Sequence, residues 1–182
     1  TQMWRYYIVV AYRDGGHQAL VGPRHGRAPG TVGAAFADED LWCSIIADGV
    51  HVDPASIRAA WRAKREKLFL ITDAMASVGT EIDTFEQGGQ SVVVRDNSCF
   101  LLDGRLAGSN LDMARAVRHC AGPVALPLDE VLRMASTYPA VFLGLAGKLG
   151  RIKAGYDASL VWLDSRLKVK AVWIDGKEHF YG

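Results

Sequence analysis

The sequence has almost no surplus charge: 21 Lys and Arg against 20 Asp and Glu leave a formal net charge of +1. So even a balance gives no electrostatic footprint for nucleic acid or for an anionic membrane surface. No apolar run approaches the ~18 residues that a membrane-spanning helix requires. The opening stretch TQMWRYYIVVAYRDGG has an apolar patch but no small-residue cleavage site after it, which makes a poor signal peptide. Cysteine is scarce. Cys43, Cys99 and Cys120 are far apart and odd in number, with no CxxC and no Cys/His zinc spacing. That excludes a disulfide framework and fits a reducing cytoplasm, with each thiol a small core residue. Internal repeats and low-complexity segments are also missing. What remains is ordinary globular usage, 49% hydrophobic and 23% charged. A length of 182 residues suits one domain with a real core, or part of a larger protein.

The apolar pattern gives an order of elements. YYIVVAY (6–12) reads as a strand, and the Gly-, Pro- and Arg-containing residues 13–33 as loop. LWCSIIAD (41–48) and LFLITD (68–73) are apolar on both faces, as strands of a helix-covered parallel sheet are. Between them, residues 53–67 read as a helix, with Asp53 as N-cap, Pro54 at the first helical position and basic residues in the last turns. Strand, helix, strand with a short return is a βαβ unit. Residues 80–107 read as an inserted hairpin turning at Asp96-Asn97. A helix over 109–122 is capped by Ser109 or Asn110 and stopped by Gly122. A second helical stretch, 127–145, breaks before Pro139. ASLVWLD, KVKAVWIDG and KEHFYG are three closely spaced strands of a small β-structure. These strands do not close a sheet. The expectation is therefore the C-terminal part of a larger α/β protein, a (β/α)₈ barrel, whose chemistry sits at the C-terminal strand ends.

Two carboxylates stand at those ends, Asp48 and Asp73. A carboxylate closing a buried strand is paired, exposed or used, because an unpaired buried charge is costly. ADGVHVD (47–53) makes a tight turn at Asp48-Gly49 and presents His51. Taken alone, it reads more readily as a turn with a surface His. Together, His51 and Asp73 lie at the same end of adjacent parallel strands and face one mouth. A carboxylate beside a His and a metal deprotonates a bound water and later reprotonates a leaving amine. Arg27, in the Gly/Pro loop GRAPG, is either a solvated cation or a fork of donors for phosphate. Gly108-Ser109 either caps a helix or holds an anion, with capping favoured.

In this order, IIADGVHVD, LFLITDAM, GRLAGSNLDM, PLDEVLRMASTYPA, LGRIKAGYDASLVWLD and VWIDG resemble the N-acetylglucosamine-6-phosphate deacetylases of the amidohydrolase superfamily, over about residues 22–182. The resemblance implies a metal-dependent (β/α)₈ TIM-type barrel and a small β-sandwich built from both chain ends. Residues 1–147 are then a partial barrel, with 1–21 atypical and 80–107 inserted, and 148–182 are the C-terminal part of the sandwich. It also implies hydrolysis of N-acetylglucosamine-6-phosphate to glucosamine-6-phosphate and acetate in the cytoplasm. Asp73 matches the catalytic acid/base. His51 matches the substrate-contacting His, and Leu106 a residue lining the substrate through its backbone. Arg27 matches the loop Arg that reaches the sugar phosphate, in the family from the neighbouring subunit of a dimer.

The family's divalent metal, zinc or iron, is held by a Glu and two His upstream of His51. Here the Glu and the first His fall before Thr1. His17, in GGHQALVG, stands near the second His position, one residue too close to Arg27. A catalytic ion takes about three protein ligands, so most of the set is absent. Residues 1–21 otherwise do not resemble the family, as a truncated or frame-disturbed gene produces. Residues 1–182 alone are therefore expected to release no acetate even with zinc, while Arg27 and His51 still bind phosphate. Bare sheet edges and apolar faces point to association with another chain, most simply a homo-oligomer. Two alternatives stand beside this reading: a non-catalytic half-barrel that packs with another chain, and an amidohydrolase for another N-acylated sugar phosphate.

Overall fold

A computed structural model of the chain describes residues 9–13, 16–19 and 30–180. Strand β3 (Trp42–Ile46) and strand β4 (Leu68–Ile71) form its centre. They pair in parallel, from Cys43 with Leu68 to Ile46 with Ile71. Cys43, Ile45, Ile46, Leu68 and Leu70 are buried, as apolar residues on both strand faces require. Helix α2 (Pro54–Lys64) joins the two strands. The Asp53 side chain caps it, accepting from the Ala55 N–H at 2.7 Å. α2 buries Ile57 and Ala60 against the strands. A turn of 3₁₀ helix, Arg65–Lys67, leads into β4.

Three further helices complete the cover. α3 (Met113–Ala121) contributes Ala116, Val117 and Cys120 to the core, and α4 (Leu128–Ala135) contributes Val131 and Met134. Burial pushes the Cys43 thiol up to about 11, against the opposing charge of Lys64, and the Cys120 thiol up to about 12. Both behave as core residues. α5 (Thr137–Phe142) follows α4 after Ser136 and sets Phe142 against Phe69, with ring centroids 5.1 Å apart. The tail forms an antiparallel sheet in the order β11–β10–β9, from β9 (Leu160–Leu163), β10 (Val169–Ile174) and β11 (Lys177–Phe180). Arg118 of α3 donates to the Leu167 carbonyl at 2.8 Å and ties that sheet to the core. Among the described residues no helix is long and apolar enough to cross a membrane.

The structure departs from the sequence reading in four places. Residues 16–19 are not loop but strand β2 (Gly16–Ala19), paired antiparallel to β1 (Val9–Arg13), which itself runs antiparallel along β3. Backbone pairing overrides the Gly-containing composition there. The expected strand's residues 6–8 lie outside the described residues. Residues 30–37 form helix α1 (Gly30–Ala37), whose closing signal is remote. The buried Lys64 ammonium donates to the carbonyls of Ala35 and Asp38 at its C-terminal end. The insertion is not a hairpin but a four-stranded antiparallel sheet, β5 (Thr84–Gln87), β6 (Gln90–Arg95), β7 (Ser98–Leu101) and β8 (Leu106–Ser109). The expected turn at Asp96-Asn97 is there, with φ of 49° and 61°, as a tight two-residue hairpin requires. The cap of α3 is Asp112, which accepts from the Arg115 N–H at 2.8 Å. Ser109 is engaged elsewhere.

Replacing Lys64 with Ala strips two carbonyls of their shared donor at a residue only 5% exposed. A loss of about 1–3 kcal/mol is expected, or ~2–4 °C of Tm per kcal/mol in a chain of this size. An unchanged thermal midpoint in Lys64→Ala refutes the capping role.

Candidate active site

The in-phase pairing of β3 and β4 decides what stands at their ends. Ile46 opposes Ile71, and two residues beyond each comes a carboxylate, Asp48 and Asp73. Asp48 folds the segment after β3 around itself. Its Oδ1 accepts the N–H of Val50 at 2.9 Å and of His51 at 2.8 Å, and its Oδ2 lies 2.6 Å from His51 Nδ1. Gly49 supplies the left-handed turn between them at φ 81°. Burial raises the Asp48 carboxyl, but the hydrogen bonds from His51 and Val50 and the His51 charge outweigh it and hold it below its ordinary value. Asp48 is therefore ionised at neutral pH and can only accept. Because that carboxylate only accepts, His51 Nδ1 is the donor in their contact, and Nε2 is the ring nitrogen turned to other partners.

Asp73 is held differently. Its backbone is left-handed, φ 52°, an uncommon conformation for a residue with a side chain. The end of β8 straps it in place. The Ser109 N–H donates to the Asp73 carbonyl at 2.9 Å, and the Met75 N–H donates back to the Ser109 carbonyl at 3.0 Å. The Ser109 hydroxyl donates to the Thr72 carbonyl and accepts the Leu111 N–H at 3.1 Å. Gly108 allows this approach, because a Cβ there would stand 2.7 Å from Met75 Cγ. Although Asp73 is exposed as a residue, desolvation by its neighbours raises its carboxyl above its ordinary value, the His51 charge opposes the rise, and the Asp48 charge adds to it. An exposed carboxyl whose pKa lies above its ordinary value, at the strand end beside the one that carries the buried His51, is equipped to take up and return a proton.

The other candidate residues are less fully placed. Leu106 heads β8, half-buried and paired with Phe100. His17 lies on β2, where its backbone pairs with Tyr12. Arg27 lies outside the described residues. Among the described residues no three His, Cys, Asp or Glu side chains form a group that could hold a metal ion. The residues described do not fit a resident divalent cation.

Sequence reasoning found Asp48 as a turn residue but missed it as the partner of His51; an acid and a His three apart across a Gly was the available signal. It read Ser109 as a cap or anion site rather than a strap. The structure places the His119 ring against Gly49, and no local pattern announces a contact between residues so distant in sequence.

The chain belongs to the amidohydrolase family, whose pattern residues 24–178 match. It is similar to the N-acetylgalactosamine-6-phosphate deacetylase of Shewanella sp. (strain ANA-3), 47% identical over 152 residues, which are 83% of this chain and 38% of that protein. It is also similar to a putative N-acetylgalactosamine-6-phosphate deacetylase of Escherichia coli K12, 39% identical over 84% of this chain and 92% of that one. Among solved structures, the N-acetylglucosamine-6-phosphate deacetylase of Pasteurella multocida superposes with a TM-score of 0.85 at 37% identity, over 90% of this chain and 43% of that chain. The chain thus spans well under half the length of the first relative and nearly all of the second.

Asp73→Asn is expected to stabilise the fold. Asn tolerates the left-handed backbone well and carries no charge to desolvate. Because the folded-state pKa of Asp73 is raised, its ionised form is penalised above that pKa, and the penalty vanishes below the ordinary carboxylate range. The variant's thermal midpoint is therefore higher at pH 7, and the electrostatic part of the gain disappears near pH 3. Melting curves at both pH values check this. A lower midpoint for Asp73→Asn at pH 7 contradicts it.

Proposed function

We propose that the protein containing this chain hydrolyses the amide of an N-acetylated hexosamine 6-phosphate, releasing acetate and the free amino sugar phosphate. The observation that carries the reading is that Asp73, its carboxyl raised above the ordinary value, and an Asp48-oriented His51 stand at the same end of two adjacent parallel strands. Water adds to the acetyl carbonyl carbon, and Asp73 takes up the proton that the water gives off. The C–N bond then breaks, and Asp73 returns the proton to the departing nitrogen. A carboxyl raised above its ordinary value is the better shuttle, since it holds a proton closer to the working pH. His51 presents Nε2 to the substrate, Leu106 lines it through the backbone, and Arg27 engages the phosphate by a forked set of donors.

We read β3 and β4 as the last two strands of a (β/α)₈ barrel, within residues 1–147, and residues 148–182 as part of a small β-sandwich. The parallel pairing and the antiparallel tail support that division. N-acetylglucosamine-6-phosphate is the substrate that the sequence motifs point to. The relative at 47% identity favours the 4-epimer, N-acetylgalactosamine-6-phosphate, as a second reading.

The test is acetate release from both epimers by the intact protein that contains residues 1–182, by its Asp73→Asn variant, and by residues 1–182 alone. Turnover is expected with the intact protein. The Asn variant should lose at least about 10²-fold in kcat, the lower end of what a positioned proton-transfer group contributes, with KM little changed. Residues 1–182 alone should release none, even with zinc. Full turnover in Asp73→Asn removes the acid/base assignment, and the ratio of kcat/KM for the epimers selects the sugar.

Association with a second chain is the remaining part of the reading. Trp162 and Val161 of β9 are 60% and 57% exposed, and Leu143 after α5 is 63% exposed, apolar side chains that a second chain would cover. Sedimentation at micromolar concentration should give at least a dimer; a dilute, stable monomer argues against it.

A further inference from the structure

The His119 imidazole is the one histidine ring described against the site whose role the reaction leaves open. It projects from the last turn of α3, where the neighbouring Val117 and Cys120 are buried and Arg118 is anchored on Leu167. Its ring meets the backbone of Gly49. A β-carbon on Gly49 would lie 2.8 Å from His119 Cε1 and 3.5 Å from each ring nitrogen. Gly49 is also the residue at φ 81° that lets the chain turn from Asp48 back to His51. Two constraints therefore coincide at one position: a backbone conformation that disfavours a side chain, and an imidazole filling the space where that side chain would stand.

Two further observations distinguish His119 from ordinary packing. Its Nε2 is buried and has no hydrogen-bond partner among the described residues, an arrangement that costs more than an aliphatic residue there would. Burial also lowers its pKa, against the nearby Asp48 charge, so the ring is neutral at pH 7. Neutrality matters for the neighbour. A cation there would compete with His51 for the Asp48 carboxylate, whereas a neutral ring leaves Asp48 committed to His51 Nδ1.

We propose that His119 is a positioning residue for this site: by filling the space over Gly49 it holds the Asp48–His51 turn closed, and so keeps His51 Nδ1 on Asp48 and Nε2 free for substrate. His119 itself touches no reacting atom. Its catalytic meaning rests on the deacetylase reading, but the contact and its consequence do not.

The experiment reads the hydrogen bond rather than turnover, so its failure is distinct from failure of the proposed reaction. Histidine-labelled protein is studied by ¹H–¹⁵N correlation of the imidazole nitrogens at pH 7, which reports the His51 tautomer and the exchange of its Nδ1 proton with water. The unaltered chain should show His51 protonated at Nδ1 and slow to exchange. In His119→Ala the exchange should quicken by about tenfold or more, as local opening of the turn becomes easier, and the single tautomer should give way to a mixture. His119→Phe restores a flat ring over Gly49 and should bring exchange back to within about threefold of the unaltered chain. If the Ala variant does not fold, His119→Gln takes its place, since it also removes the ring. The proposal is overturned if folded His119→Ala, or the Gln variant in its place, keeps the tautomer and exchange rate of the unaltered chain. It is equally overturned if folded His119→Phe behaves like His119→Ala, or if the unaltered chain lacks the Nδ1-protonated form.

Discussion

The parallel pairing of β3 with β4 is the constraint on which the rest depends. Its register, Cys43 with Leu68 through Ile46 with Ile71, brings both strands to an end at one level. A slip of one residue would exchange the faces of β4 and move Asp73 out of phase with Asp48. The register is secured by burial rather than by a turn. Ile45, Ile46, Leu68 and Leu70 are each enclosed, with α2 crossing between the strands and α3 and α4 closing over them. Core packing and site geometry are therefore one requirement. The same residues that stabilise the sheet decide where two carboxylates emerge.

The two carboxylates stand on opposite sides of an electrostatic balance. Asp48 is buried but fully served by donors, and it ends below its ordinary pKa. Asp73 is exposed, with a left-handed backbone, and lies above it. Environments that push neighbouring carboxyl groups apart separate their roles. Asp48 is suited to orienting an imidazole, and Asp73 to exchanging a proton. Strain concentrated at one residue while its surroundings are well satisfied is how folds hold reactive groups ready.

What the sequence disclosed divides along a physical line. The strand–helix–strand centre was legible because its signals are local: apolar runs on both faces, Asp53 before Pro54, and basic residues closing α2. The Asp96-Asn97 turn and the Gly122 stop were legible for the same reason. The rest depends on contacts remote in sequence. α1 ends on Lys64, from the next helix. β5 and β8 are short, with Gln87, Gly108 and Ser109 giving no alternation, and exist because β6 and β7 pair with them. Ser109 does not cap α3 because Thr72, Asp73 and Met75 claim it first. At the site, Asp48, His51 and Asp73 were visible as residues, since each sits at a strand end or turn. Their different electrostatic states, and the ring of His119 over Gly49, were not, because both arise only when separate elements meet.

The inserted sheet shows why such remote support is cheap to build. Between Asp73 and Ser109 the chain makes an excursion of four strands and returns to within hydrogen-bond distance of where it left. Closing a longer loop costs only about 0.6 kcal/mol for each doubling of its length, and pairing within β5–β8 lowers even that, since the returning strand is already ordered. Against this small cost, Ser109 makes hydrogen bonds to Thr72, Asp73, Met75 and Leu111. Each is worth about 0.5–1.5 kcal/mol net, enough together to hold one residue in the left-handed region. The insertion thus acts as a brace for the carboxylate at the end of β4.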